Sequence, residues 1–225
     1  AYDGLLKQRL DTPYIRENGI LKKTSWDIAL KNLVNQIRKF KPNEIAGIIG
    51  DLLDLESIYS FKSFLLNSIG TKNLEYRQDR IYINPKERMN YIFNSTISGI
   101  EEADLIILVG SNPRLEATIL NARIRKAYTK NKIKVYSLGD VGDLNYPYEV
   151  INSNTLSIKE IASNTSIISD KIKKSKKPLF IIGESALRGK AGEYIFETLK
   201  NFLNENNFIR KDWNALNILN QHASS

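Results

Sequence analysis

Cysteine is absent from this chain of 225 residues, and histidine occurs once, at His222. Disulfides, thiolate-bound zinc, iron–sulfur clusters and cysteine nucleophiles are therefore excluded within these residues. A single histidine near the end cannot assemble a His/Cys metal site either. No loop has the alternating acidic spacing of an EF-hand, so only carboxylate-built magnesium or calcium sites of other kinds stay open. Long hydrophobic runs are also missing. Nothing approaches the ~20 apolar residues that cross a bilayer, so direct membrane insertion is not expected. There is no secretory signal pattern. The chain starts with Ala1 rather than Met, which reads as a processed start or a piece of something longer.

What is present is an ordinary globular composition, 42% hydrophobic and 26% charged. The length suits one large α/β domain or two interleaved ones. Net charge is +8 and the pI is about 9.4. Such a balance can mark an acidic partner. Here the lysines are spread along a chain also rich in Ile and Asn. Their densest cluster, Lys171, Lys173, Lys174, Lys176 and Lys177, sits at a helix end and turn, where cations complement the helix dipole and stay solvated. A basic nucleic-acid-binding domain is the weaker alternative, because no interleaved aromatic motif accompanies the charge.

Residues 1–23 show turn signals at Asp11-Thr12-Pro13 and Asn18-Gly19 but no sustained period, and they read as an extended arm. Apolar Tyr2, Leu5, Leu6, Leu10, Tyr14 and Ile15 need something to lie on. A first α/β part is expected over residues 24–95. Its opening helix has Trp26, Ala29, Leu30, Leu33, Val34 and Ile37 on one face, with Ser25 as N-cap. Ile45–Ile49 reads as a buried strand. A helix over about 54–68 follows, with Leu55, Ile58, Phe61, Leu65 and Ile69 inward and Gly70 after its end. Residues 71–95 read as an irregular excursion.

A second, Rossmann-like part is expected over residues 96–225. Its strands are Leu105–Val109, Lys134–Leu138 and Leu179–Ile182, with weaker signals at Tyr148–Ile151 and Trp213–Leu219. A helix over about 114–130 faces inward through Leu115, Ala117, Leu120, Ile124, Ala127 and Tyr128. Further helices are expected near 157–161, 165–174 and 193–204, with residues 183–192 as a glycine-containing loop. Strands that alternate with helices, and read as continuous Ile/Leu/Val runs, predict a mostly parallel, doubly wound α/β sheet.

Two loops fall just past strand carboxyl ends, where such sheets bind ligands. The first is Gly110-Ser111-Asn112-Pro113-Arg114. A helix start there can hold phosphate, and Arg114 can add charge. A turn glycine, a capping Asn112 and a proline at the first helical position explain the same residues without a ligand, and this reading is preferred. The second runs from Gly183 through Gly189 to Gly192. It departs from a P-loop, since five residues separate Gly183 from Gly189 and Ala191 replaces the hydroxyl residue that would bind magnesium. The carboxylates Glu101, Glu102 and Asp104 precede a strand and read as a solvated turn. No catalytic residue and no metal ligand is assigned. Gly110, Asn112, Arg114, Gly183 and Gly189 remain as weak, vestigial cofactor-binding candidates.

Three blocks carry a family resemblance. They are Tyr2-Asp3-Gly4-Leu5 with Gln8-Arg9-Leu10 and Pro13-Tyr14-Ile15-Arg16; residues 99–128, containing EEAD, GSNPR and LNARIRKA; and residues 177–192, with GESALR and KAG, followed by WNALNIL. Together they resemble the large iron–sulfur subunit of respiratory complex I (NADH:quinone oxidoreductase), in its region related to molybdopterin oxidoreductases. The resemblance implies a doubly wound sheet of the formate dehydrogenase/DMSO reductase type that has kept the fold and lost the cofactor. It implies iron–sulfur clusters in an upstream domain, none in this segment, and other peripheral-arm subunits as partners. It places the complex at the inner membrane, on the bacterial cytoplasmic or mitochondrial matrix side. The alternative it leaves is a fragment of a working molybdopterin-dependent oxidoreductase, such as a formate dehydrogenase relative.

Overall fold

Continuous apolar runs suit strands buried on both faces of a helix-covered parallel sheet, and the computed structural model has one. It describes residues 2–7, 9–50, 53–75, 81–152, 154 and 156–220. The chain divides into two compact units, residues 1–76 and 77–223.

In the first unit, helix α1 (Tyr2–Lys7) precedes a hairpin of β1 (Tyr14–Glu17) and β2 (Ile20–Lys23). Asn18 and Gly19 both take positive φ, 50° and 82°, which an Asn-Gly hairpin turn requires. The arm is thus a short helix and a hairpin rather than an extended segment. Strands of four residues are too short to show a period. Helix α2 (Trp26–Ile37) is capped by Ser25, whose side chain accepts from the Ile28 N–H. Strand β3 (Gly47–Ile48) pairs in parallel with β4 (Leu74–Glu75) across helix α3 (Leu55–Ser63), which runs on as a π-helical turn over Phe64–Ile69. Gly70 ends it at φ 81°, as expected. Two expectations are corrected here. The strand expected at 45–49 belongs to this small separate sheet and not to the main one. Leu55, expected inward, is 74% exposed, because it stands at the first turn of α3 beyond the layer formed by Phe61 and Leu65.

The second unit begins with an irregular segment that includes α4 (Thr96–Gly99). Its sheet has the order β7-β6-β5-β8-β9, all parallel. The strands are β5 (Leu105–Val109), β6 (Lys134–Leu138), β7 (Glu149–Asn152), β8 (Pro178–Gly183) and β9 (Leu216–Leu219). Helices α5 (Pro113–Glu116) and α6 (Thr118–Asn131) link β5 to β6. Between β7 and β8 lie α7 (Leu156–Ala162) and α8 (Ile167–Lys174). Between β8 and β9 lie α9 (Glu184–Leu187) and α10 (Gly192–Glu205). Ile106, Ile107, Leu108, Leu179, Phe180, Ile181 and Ile182 are wholly buried. Each such side chain contributes roughly 1.5–3 kcal/mol.

Two further readings are revised. The helix expected over 114–130 breaks at Ala117 (φ −151°, ψ 75°), which rotates α5 away from the α6 register and leaves Leu115 78% exposed. The loop expected over 183–192 contains α9. Residues 92–95, within the irregular excursion, cover the outer edge of β9: the Ile218 N–H donates to the Ile92 carbonyl and Asn94 Nδ2 to the Leu216 carbonyl. Such cover protects an edge strand from foreign pairing.

Candidate functional site

The chain passes from β5 outward to β6 and β7, then returns to β8 and β9 on the other side of β5. The switch point lies between the carboxyl ends of β5 and β8, where an open α/β sheet places its ligand crevice. Both candidate loops meet there.

Val109 and Ile182 are register partners, so Gly110 and Gly183 stand side by side. Gly110 has φ +57°, and a Cβ on it would lie 2.5 Å from the Ala186 nitrogen and 2.8 Å from Ser185 Oγ. Gly183 has an ordinary φ of −87°, yet a Cβ there would fall on the Gly110 carbonyl oxygen and the Ser111 side chain. Ser185 Oγ donates to that same carbonyl at 2.5 Å. The two loops therefore touch backbone to backbone and narrow the crevice.

The donors at the start of α5 are also engaged. Asn112 Oδ1 accepts from the N–H groups of Arg114 and Leu115, at 3.1 and 3.2 Å, while its Nδ2 donates to the Val141 carbonyl at 2.7 Å. The Glu116 carboxylate accepts from Ser111 Oγ at 2.9 Å and from the Asn112 N–H at 3.0 Å. A carboxylate thus occupies the place where a phosphate would need those donors, and it would repel one. Arg114 is bound to Asp143, at 2.5 Å to the carboxylate and 2.9 Å to the carbonyl. The Asn145 N–H, and then Arg114, hold the Asp143 carboxyl below the usual range.

Gly189 is exposed at φ +76° with nothing near it, so it serves a turn and does not join the other candidates. Sequence reasoning missed Glu116, Ser185 and Ala186. Glu116 stands four residues after its cap instead of the three of a capping box, so the motif was hidden by one position. Glu101, Glu102 and Asp104 lie at the opposite end of the sheet, in local pairs. His222 lies outside the described residues.

At the crevice the loops leave a hollow of about 280 Å³, lined by Val109, Gly110, Leu138, Ile158, Ser185 and Arg188 among others. Its volume is at the low end of the ~300–1,000 Å³ of small-molecule sites. A wider groove of about 630 Å³ runs along Tyr91, Phe93, Ile97, Ile119 and Ile218 and is mostly apolar. Among the described residues no group of three or more His, Cys, Asp or Glu is placed to hold a metal ion. No helix among them is long and apolar enough to cross a membrane.

A doubly wound sheet with two glycine turns at its switch point defines the class. Residues 9–225 match the molybdopterin oxidoreductase family, and the chain belongs to it. Among its relatives, it is 36% identical over 224 residues to the G subunit of NADH-quinone oxidoreductase from Rickettsia bellii (strain RML369-C), covering all of this chain and 33% of the relative. It is 37% identical over 239 residues to the NADH-ubiquinone oxidoreductase 75 kDa subunit of Reclinomonas americana, covering all of this chain and 34% of that protein. The corresponding G subunit from Rickettsia conorii (strain ATCC VR-613 / Malish 7) is 37% identical over 224 residues, covering all of this chain and 33% of that relative. The chain spans about a third of the length of the curated relatives it matches.

The family name implies a pterin cofactor. At the switch point the loops close on each other at Gly110, Gly183 and Ser185, and the donors at the start of α5 are engaged by Asn112 and Glu116, an arrangement that does not favour a phosphate there.

Proposed function

We propose that this chain is a non-catalytic α/β segment of the large iron–sulfur subunit of a proton-translocating NADH:quinone oxidoreductase. In this reading it supports electron transfer from NADH to quinone as part of the peripheral arm and has no active site of its own. Its partners are an upstream cluster-bearing domain and other peripheral-arm subunits, with no nucleic acid. The complex is associated with the inner membrane, on the bacterial cytoplasmic or mitochondrial matrix side. The segment itself carries no redox centre. The names of the relatives support the placement, and the close contact of the β5 and β8 loops, with Glu116 on the donors at the start of α5, supports the loss of cofactor binding.

The test is made on the full-length subunit purified in its complex. Molybdenum or tungsten by mass spectrometry, and pterin by fluorescence after oxidative release, should both be far below one per subunit. A stoichiometric pterin would overturn the reading in favour of a working molybdopterin-dependent oxidoreductase.

A further inference from the structure

In a parallel sheet all strands begin at one end, and the connecting helices finish there. This gathers side chains that are far apart in sequence. Lys130 and Lys132 close α6 and Lys134 opens β6; Lys173 and Lys174 close α8 and Lys176 precedes β8. All six are exposed, and none is within ion-pairing distance of a carboxylate among the described residues. Helix dipoles account for Lys130, Lys173, Lys174 and the C-cap Lys132, and act less on Lys134 and Lys176, which lie beyond the helix ends.

Most carboxylates at this end already have a cationic partner, Glu149 in Lys171 and Asp212 in Arg210 among them, whereas Glu205 at the end of α10 makes no ion pair among the described residues. Glu101 is bound by Arg123 and Lys126 at 2.5 and 2.9 Å, and Glu102 by Lys177 at 2.6 Å. Asp104 accepts the N–H groups of Lys176 and Lys177 and the Ser175 hydroxyl. The loops at the opposite end carry Glu116, Asp140, Asp143, Glu184 and Glu193 against Arg114, Arg188 and Lys190, so the excess of basic groups belongs to the amino-terminal end.

We infer that the amino-terminal end of the five-stranded sheet is a docking face for an acidic surface of another protein chain. The inference rests on the reading that this chain works inside a multisubunit complex. A lipid surface is disfavoured because exposed apolar residues such as Leu115, Ile119, Leu156 and Tyr194 stand at helix starts, not among these lysines. Nucleic acid is disfavoured because the rings nearby, Tyr128, Tyr136 and Trp213, each lie under a lysine of the fold and offer no face for base stacking.

The experiment uses the intact complex. Carbodiimide, which joins a lysine amine to a carboxylate only when the two are in contact, is applied and the peptides are sequenced. Lys132 or Lys174 should be joined to Asp or Glu of another subunit. In parallel, the six lysines are changed to Gln, and separately to Arg, in the full-length subunit. The Gln variant should leave the complex at about half the salt concentration that releases the parent, and the Arg variant should behave as the parent does. Cross-links confined to this chain would overturn the proposal. So would an unchanged salt midpoint, or equal loss with Arg. Binding to vesicles of phosphatidylglycerol and phosphatidylethanolamine without cross-links to protein would also overturn it. Cofactor content is read independently, so the two readings can fail separately.

Discussion

At the scale of single residues, the switch point depends on two glycines for different reasons. Gly110 needs both its positive φ and its missing Cβ, whereas Gly183 needs only the space. Gly110→Ala and Gly183→Ala should each destabilise the second unit by about 1–3 kcal/mol, because the new methyl meets backbone that cannot give way. Gly189→Asn, at an exposed turn with φ +76°, should be nearly neutral. Urea unfolding of the three variants checks the order. Glu101 offers a second test. Hydrogen bonds from Lys126 and then Arg123 hold its pKa below the ordinary glutamate value. A depressed carboxylate stabilises above its unfolded pKa, near 4.3, and the contribution is lost as pH falls through the folded value. The thermal midpoint should therefore fall on the acid side. Glu101→Gln should lower the neutral-pH midpoint slightly and flatten that fall; an acid limb identical to the parent's would remove Glu101 from the account.

Among the elements, legibility followed burial. Strands β5, β6 and β8 could be read directly because Leu105–Val109, Val135–Tyr136 and Leu179–Ile182 are apolar on both faces, and tertiary packing agrees with that pattern. The capping role of Asn112 and the turn role of Gly110 were also visible. The contact of Gly110 with Ser185 and Ala186 was not, because it depends on which strands are neighbours. The break at Ala117 was hidden because alanine favours helix, and nothing local announces its ψ of 75°. Helix α2 shows the limit most clearly. Its span matches the apolar period, yet Trp26, Leu30 and Leu33 are 64%, 50% and 51% exposed. Period reports an amphipathic helix but not what covers it. Leu30→Asp with Leu33→Asp, or Leu10→Asp with Tyr14→Asp in the arm, should leave the five-stranded sheet folded and reduce assembly of the proposed complex. Native-gel abundance and NADH:quinone activity of membranes carrying the full-length variants measure this; unchanged values would mean that these surfaces take no part in assembly.

On the scale of the whole molecule, the two units differ in how much they bury. The second encloses a continuous apolar core across its sheet, while in the first Leu65 is the one fully buried large apolar side chain among the described residues. A unit with so little core has little free energy to hold its hydrogen bonds closed. Hydrogen exchange on this chain by itself should show amides of α2 and α3 exchanging orders of magnitude faster than those of β5 and β8, and the two should become similar within an assembled complex. The difference also bears on biosynthesis. Translation delivers the weakly buried unit before the strongly buried one, the reverse of the order in which a nascent chain folds most easily. While the second unit is being made, an apolar helix and a half-covered sheet are already outside the ribosome. Trigger-factor-like or Hsp70-like holdases bind such stretches, so residues 26–69 should be the chief chaperone-recognised segment of the growing chain.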